Sequence, residues 1–247
     1  MRENPLRLPQ LPAAFEGFTL LQLSDLHLDA LPDFADRLAA AVAPLEYDIC
    51  VLTGDYRFQT HGPHDPAMAG LERLRRALRG EVYAILGNHD SVLTARDIEA
   101  QEIRLLLNEH VRVGREADGI YLAGIDDPHY FATDNLEAAY AGIPDSAVSV
   151  LLSHSPEIFR HAAFVGFDVM LCGHTHGGQI CLPGGLALTY NSSAPRYTGA
   201  GAWSFDLMQG YTSMGTGSSV VPARFNCPPE ITLHRLTRGT DSGARPQ

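Results

Sequence analysis

The stretch Asp168-Val169-Met170-Leu171-Cys172-Gly173-His174-Thr175-His176-Gly177-Gly178-Gln179 decides how this chain is read. A short apolar run stops abruptly in a loop where two histidines alternate among glycines. Glycine lets backbone pass close to a ligand without a Cβ clash, so the loop can present both imidazoles from a tight turn. Working outward, the same arrangement recurs. Strand-like apolar runs cover residues 18–23, 48–52, 81–86, 148–152 and 167–172, each followed by a loop rich in Asp, His, Asn or Gly. Between them, residues 32–43, 66–79 and 94–108 carry apolar positions at steps of three and four, which predicts helices. Alternating strand and helix implies an α/β fold. Runs such as Ile49-Cys50-Val51-Leu52 suit strands covered on both faces, and the Gly-rich, β-prone stretch after Gly177 adds further strands, so two sheets are expected.

The polar loops carry the chemistry. In Ser24-Asp25-Leu26-His27, ligand-type side chains alternate, and in extended backbone they project to the same side, so both can reach one cation. Thr53-Gly54-Asp55, Gly87-Asn88-His89-Asp90 and Ser153-His154-Ser155-Pro156 follow three more apolar runs. Taken singly, each reads as a turn, a loop cap or a hydrogen-bonded histidine. Together, carboxylate, amide oxygen and neutral imidazole favour divalent metals of the manganese, iron and zinc group over a thiolate site.

Length and charge narrow the class. With 247 residues and 45% hydrophobic content, the chain can bury one substantial core. The expected partition is an N-terminal arm at residues 1–12, one domain at 13–236 and a disordered tail at 237–247. A net charge of -11 argues against general nucleic-acid binding, which needs a basic stripe. All 18 basic residues are Arg, a bias read as genome composition. Cys50, Cys172, Cys181 and Cys227 are scattered without CxxC pairing and are expected to be reduced. No apolar run long enough for a membrane span or a secretory signal is present, so the expected location is cytoplasmic, with peripheral membrane contact left open.

The five polar elements, in this order, resemble the calcineurin-like metallophosphoesterase superfamily over nearly the whole core. The resemblance implies a four-layer αββα sandwich of two mixed sheets flanked by helices, with metals at the strand ends. Gly177-Gly178-Gln179, Gly215-Thr216-Gly217, Arg224-Phe225 and Pro229-Glu230-Ile231 are similar to the bacterial phosphodiesterase branch of YkuE and YaeI type, which includes the chlamydial-type UDP-2,3-diacylglucosamine pyrophosphatase. No anchor is read ahead of the domain, and a departure from that branch is expected there. Tyr56-Arg57-Phe58 also follows Asp55 where many superfamily members have a further acidic residue.

The resemblance implies two divalent ions, manganese first with iron or zinc as alternatives. Asp25, His27 and His176 would hold one and Asn88, His154 and His174 the other, with Asp55 bridging. His89 becomes the proton donor to the leaving oxygen, with Asp90 either orienting it or capping the following helix. The implied function is hydrolysis of a phosphodiester or pyrophosphate in a small diester, nucleotide-sugar or lipid-linked substrate. Alternatives are a UDP-2,3-diacylglucosamine pyrophosphatase of lipid A synthesis, a cyclic nucleotide phosphodiesterase and a non-catalytic scaffold on the same fold. Arg57, Arg196 and Arg224 are weaker candidates for phosphate contact, and Tyr130, Phe131, Tyr190 and Trp203 for a substrate groove.

Overall fold

Strand after strand carries buried side chains on both faces, and the computed structural model, which describes residues 1–239, shows what covers them. In chain order the first half comprises β1 (Arg2–Leu8), β2 (Thr19–Leu23), α1 (Phe34–Val42), β3 (Ile49–Leu52), α2 (Asp65–Ala77), β4 (Val82–Ala84), α3 (Ala95–Glu99) and β5 (Arg104–Leu105). The second half comprises β6 (Glu109–Arg115), β7 (Asp118–Gly124), α4 (Leu136–Tyr140), β8 (Ser149–Leu152), α5 (Phe159–Val165), β9 (Val169–Cys172), β10 (Cys181–Leu182), β11 (Leu186–Ala187), β12 (Gly201–Phe205), β13 (Met208–Thr212) and β14 (Thr232–Arg238). One six-stranded sheet has the order β1-β14-β2-β3-β4-β5 and the other β12-β13-β9-β8-β7-β6, while β10 and β11 form a small ribbon.

Both sheets are mixed. β2 to β5 run parallel, with β14 antiparallel to β2 and parallel to β1. β7, β8, β9 and β13 are parallel, flanked by antiparallel β6 and β12. Side-chain alternation sorts the apolar residues into three cores. Leu20, Val51, Leu122, Val150 and Leu171 fill the space between the sheets. Leu21, Cys50 and Leu52 face α1 and α2, and Leu151, Met170 and Cys172 face α4 and α5. Three cores separate four layers, which is the αββα sandwich.

Two expectations need correction. Residues 94–108 do not form one helix: α3 stops at Glu99, and Glu102 takes a left-handed φ of 58°. Beyond it, Leu105 enters the core under α3 and Leu106 the core between the sheets, opposite faces that only extended backbone can supply. The N-terminal segment is not an arm, because Arg2–Leu8 pairs along its whole length with β14. Leu6 and Leu8 are buried between the sheets, a burial worth about 1.5–3 kcal/mol per side chain. Of the expected tail, Thr237 and Arg238 belong to β14, Gly239 follows the strand, and residues 240–247 lie outside the described residues. All four cysteines are free and buried. Among the described residues, no helix is long and apolar enough to cross a membrane.

Candidate metal centre

The loops after β2, β3 and β4 leave one sheet and those after β8 and β9 leave the other, and they meet where both sheets present the ends of parallel strands. Asp25, from the first sheet, accepts the backbone N–H of His174, from the second, at 3.0 and 3.1 Å. Asp25, His27, Asp55, His174 and His176 all take left-handed φ, at 52°, 40°, 59°, 70° and 50°. Such backbone costs on the order of 1 kcal/mol per residue for an L-amino acid and persists where surrounding contacts over-determine it. Close approach is enforced at two glycines. A Cβ on Gly87 would lie 2.4 Å from Asp55 Oδ1, and one on Gly173 would lie 1.8 Å from Ser24 Oγ.

Ligand atoms of Asp25, His27, Asp55 and His176 lie within 4.8 Å of one another. His27 Nε2 is 3.2 Å from His176 Nε2, and Asp25 Oδ1 is 3.4 Å from the latter. Beside them, Asn88 Oδ1 lies 2.9 Å from His154 Nε2 and 2.7 Å from His174 Nδ1. Asp55 stands between the two groups. Its Oδ1 accepts the His89 N–H at 2.8 Å, while Oδ2 lies 3.7 Å from His27 Nε2 and 3.4 Å from His154 Nε2.

These contacts test whether the residues suit a cation. His27 Nδ1 donates to Arg57 O and His174 Nε2 to Asn191 O, both at 2.5 Å, so the remaining nitrogen of each neutral ring carries a lone pair. Burial pushes His27 and His174 down to about 4 and His176 well below the ordinary imidazole range, keeping all three neutral at pH 7. The His174 lone pair therefore faces the Asn88 carbonyl oxygen at 2.7 Å, an arrangement that repels unless a positive charge joins them. His154 reports the same demand. Burial opposes charging its ring, yet the carboxylates of Asp55 and Asp25 lift it to about 10. Burial works against ionised Asp55 as well, but His154 holds it well below the carboxylate range. Asp25 is lifted by burial to about 6, against the pull of His154. The oxygen and imidazole donors fit a divalent transition metal.

His89 turns into the same space. Its Nε2 is 4.0 Å from Asp55 Oδ2, its ring packs edge-on against His27 at 5.1 Å, and its buried Nδ1 has no protein partner. Asp90 does neither of the things expected of it. Its Oδ2 accepts the N–H groups of Asp55 at 2.7 Å and Gly87 at 2.9 Å, and its Oδ1 that of Tyr56 at 3.0 Å. It clasps the loops after β3 and β4 together rather than orienting His89, and Ser91 occupies the cap position of the next turn.

The weaker candidates separate. Arg224 belongs to the site, with Nη2 3.1 Å from His176 Nδ1 and also bonded to the carbonyls of Met214 at 2.7 Å and Gly217 at 2.6 Å. Arg57 donates to Thr60 and Gly62 of its own loop, and Arg196 to Ala187 and Leu188. Trp203 is core, Tyr190 packs on Cys181 and Cys227, and Tyr130 and Phe131 are exposed. A buried chain that sequence reasoning missed runs beneath the centre. His234 joins Asn4 to Gln22 Oε1, and Gln22 Nε2 donates to Thr53 Oγ1 at 3.0 Å and to Cys172 O at 2.9 Å. Gln22 thus ties the ends of β3 and β9, in different sheets, just before the ligand loops. A long polar side chain in the otherwise apolar run Leu20–Leu23 was the available signal.

A four-layer sandwich with this cluster at its strand ends defines a metal-binding phosphoesterase domain. The chain belongs to the calcineurin-like phosphoesterase family, which matches it over residues 18–178. It is similar to the uncharacterized metallophosphoesterase YkoQ of Bacillus subtilis, at 31% identity over 92% of this chain and 86% of that one. Phosphodiesterase YaeI of Escherichia coli is 29% identical over 89% and 82% of the two chains. The UDP-2,3-diacylglucosamine pyrophosphatase LpxG of Chlamydia trachomatis is 26% identical over 71% of this chain and 68% of that one.

Proposed function

We propose that the chain hydrolyses a phosphodiester or pyrophosphate bond at a dinuclear metal centre. Asp25, His27 and His176 would hold one ion and Asn88, His154 and His174 the other, with Asp55 serving both. The observation that carries this reading is the position of Asp55 Oδ2 between two donor groups, 3.7 Å from His27 Nε2 on one side and 3.4 Å from His154 Nε2 on the other. Bound divalent ions would supply Lewis acidity toward the phosphate oxygens and a water of lowered pKa.

The chain's own groups do the rest. The His89 N–H fixes Asp55 Oδ1, leaving Oδ2 directed at the donors. The His89 ring, 4.0 Å from that oxygen and partly open to solvent, gives a proton to the leaving oxygen. The names of YaeI and LpxG support a diester or pyrophosphate, and the charge of -11 disfavours a polynucleotide. The complete donor set supports an enzyme over a non-catalytic scaffold.

Metal analysis by mass spectrometry should give two equivalents of manganese, iron or zinc per chain. A panel of bis-nitrophenyl phosphate, a cyclic nucleotide, a nucleotide-linked sugar and a nitrophenyl monoester, assayed with manganese, should show preference for a diester or pyrophosphate. Preference for the monoester would overturn the substrate class, and a metal-free, inactive chain would overturn the enzyme reading.

A further inference from the structure

A groove of about 420 Å³ opens beside the metal centre, between α1 and residues 216–231. His27 and Arg224 line it, and both also face the cluster, His27 through Nε2 and Arg224 through the 3.1 Å approach of Nη2 to His176. The groove and the site therefore share two wall residues, with the fully buried His27 standing between them. Much of its wall is apolar, formed by Leu31, Phe34, Leu38, Pro222 and Ile231. Phe34 and Ile231 are only partly buried, packing on the core beneath α1, so the groove prolongs that apolar layer into a space that no side chain of the described residues fills.

Two polar side chains on the walls are committed, while Ser218 and the exposed Arg37 also line the groove. The Thr216 hydroxyl donates to Ser24 O at 3.1 Å, and Glu230 accepts from Tyr211 at 2.7 Å and pairs with Arg2 at 3.2 Å. A hydrocarbon chain needs chiefly apolar area, which Leu31, Phe34, Leu38, Pro222 and Ile231 supply along one wall. A substituent on a phosphate held at the centre would have this apolar wall beside it, next to His27 and Arg224.

We propose that the groove takes an unbranched alkyl or acyl chain carried on the substrate's phosphate, which makes the substrate an amphiphile rather than a small soluble diester. This rests on the phosphodiesterase reading above. Two measurements keep the readings apart. Binding of methyl, butyl, hexyl and decyl phosphate to the manganese-loaded chain, by calorimetry below micelle concentrations, requires no turnover. Hydrolysis of alkyl nitrophenyl phosphodiesters with the same chains requires it.

Affinity and kcat/KM should each rise roughly two- to fourfold per methylene until the groove is full. Ala41→Trp, at an exposed α1 position on the groove wall, should flatten both slopes. Leu31→Asp, at a residue 36% exposed, should do the same through charge and guards against a misfolded Trp variant. Hydrolysis or binding without chain-length dependence overturns the groove while leaving the phosphodiesterase intact. Chain-dependent binding without hydrolysis of any diester overturns the reaction instead. Unchanged slopes in both variants would place the chain elsewhere. Self-association of the native chain that Ala41→Trp abolishes would make the groove a face between copies, and would also overturn the proposal.

Discussion

Removing the Asp90 side chain should disable the centre without touching a single ligand. Its carboxylate is fully buried and accepts three backbone N–H groups, of Asp55, Tyr56 and Gly87, at 2.7, 3.0 and 2.9 Å. A buried donor left unpaired costs about 1–3 kcal/mol, so Asp90→Ala, which strands three, should cost roughly 3–6 kcal/mol once their partial rehydration is allowed for. Asp90→Asn keeps one oxygen for Asp55 and Gly87 and turns an amide N–H toward Tyr56, so its cost should be about 1–3 kcal/mol. For a chain of this length each kcal/mol moves Tm by about 2–4 °C, giving drops of about 2–12 °C for Asn and more than about 6 °C for Ala. Burial, with a further push from Asp55, lifts the Asp90 carboxyl to about 7. A raised acid contributes stability that is complete below its unfolded value and lost as pH rises through its folded one. The gap between native and Asn chains should therefore narrow between pH 5 and pH 8. Thermal melts of chelator-treated protein at both pH values, with manganese titrations beside them, measure this. An Ala variant melting within 2 °C of native with unchanged metal affinity would refute the clasp.

Three further outcomes are expected. Asp55→Ala should lower the occupancy of both ions together, because a shared carboxylate offsets their mutual repulsion; elemental analysis showing one ion fully retained would contradict the sharing. His89→Ala should keep both ions and slow turnover by about 10² to 10⁴. The loss should be greater for alkyl than for nitrophenyl leaving groups, and equal losses would leave His89 with phosphate positioning alone. Metal affinity should follow pH in two regimes. For loading of the two ions together, one proton, on the His154 ring held at about 10, must leave at pH 7 to 8. Below the Asp25 value of about 6 a second proton competes. A plot of log affinity against pH should accordingly have a slope near one, steepening toward two in acid, and an unchanging slope would discard the Asp25 assignment.

Sequence reasoning reached the residues that act through their side chains and missed those that act through geometry. The loops 24–27, 53–55, 87–90, 153–156 and 173–179 declared themselves because hydrophobic runs ended in ligand-type residues, and the five strands before them lie within a residue or two of their expected bounds. Asp90 sits among those loops, but two of its three main-chain partners are amides 34 and 35 residues away, which no local pattern encodes. The segment 94–108 misled because apolar spacing at three and four serves a short helix followed by an edge strand as well as one helix. β1 was passed over because a proline and three charged residues interrupt Arg2–Leu8. Proline is tolerated there, since the strand lies at a sheet edge.

The order β1-β14-β2 also has a bearing on synthesis. The last strand occupies the place between the first two, so during translation the β2 edge has no neighbour on that side until Arg238 has emerged. At about 5–20 residues per second, that edge, in a strand with all five residues buried in the finished fold, is open for roughly ten to forty seconds. Chains stalled or truncated before β14 should thus present the same unpaired edge, and such species, rather than the finished protein, are where aggregation would begin.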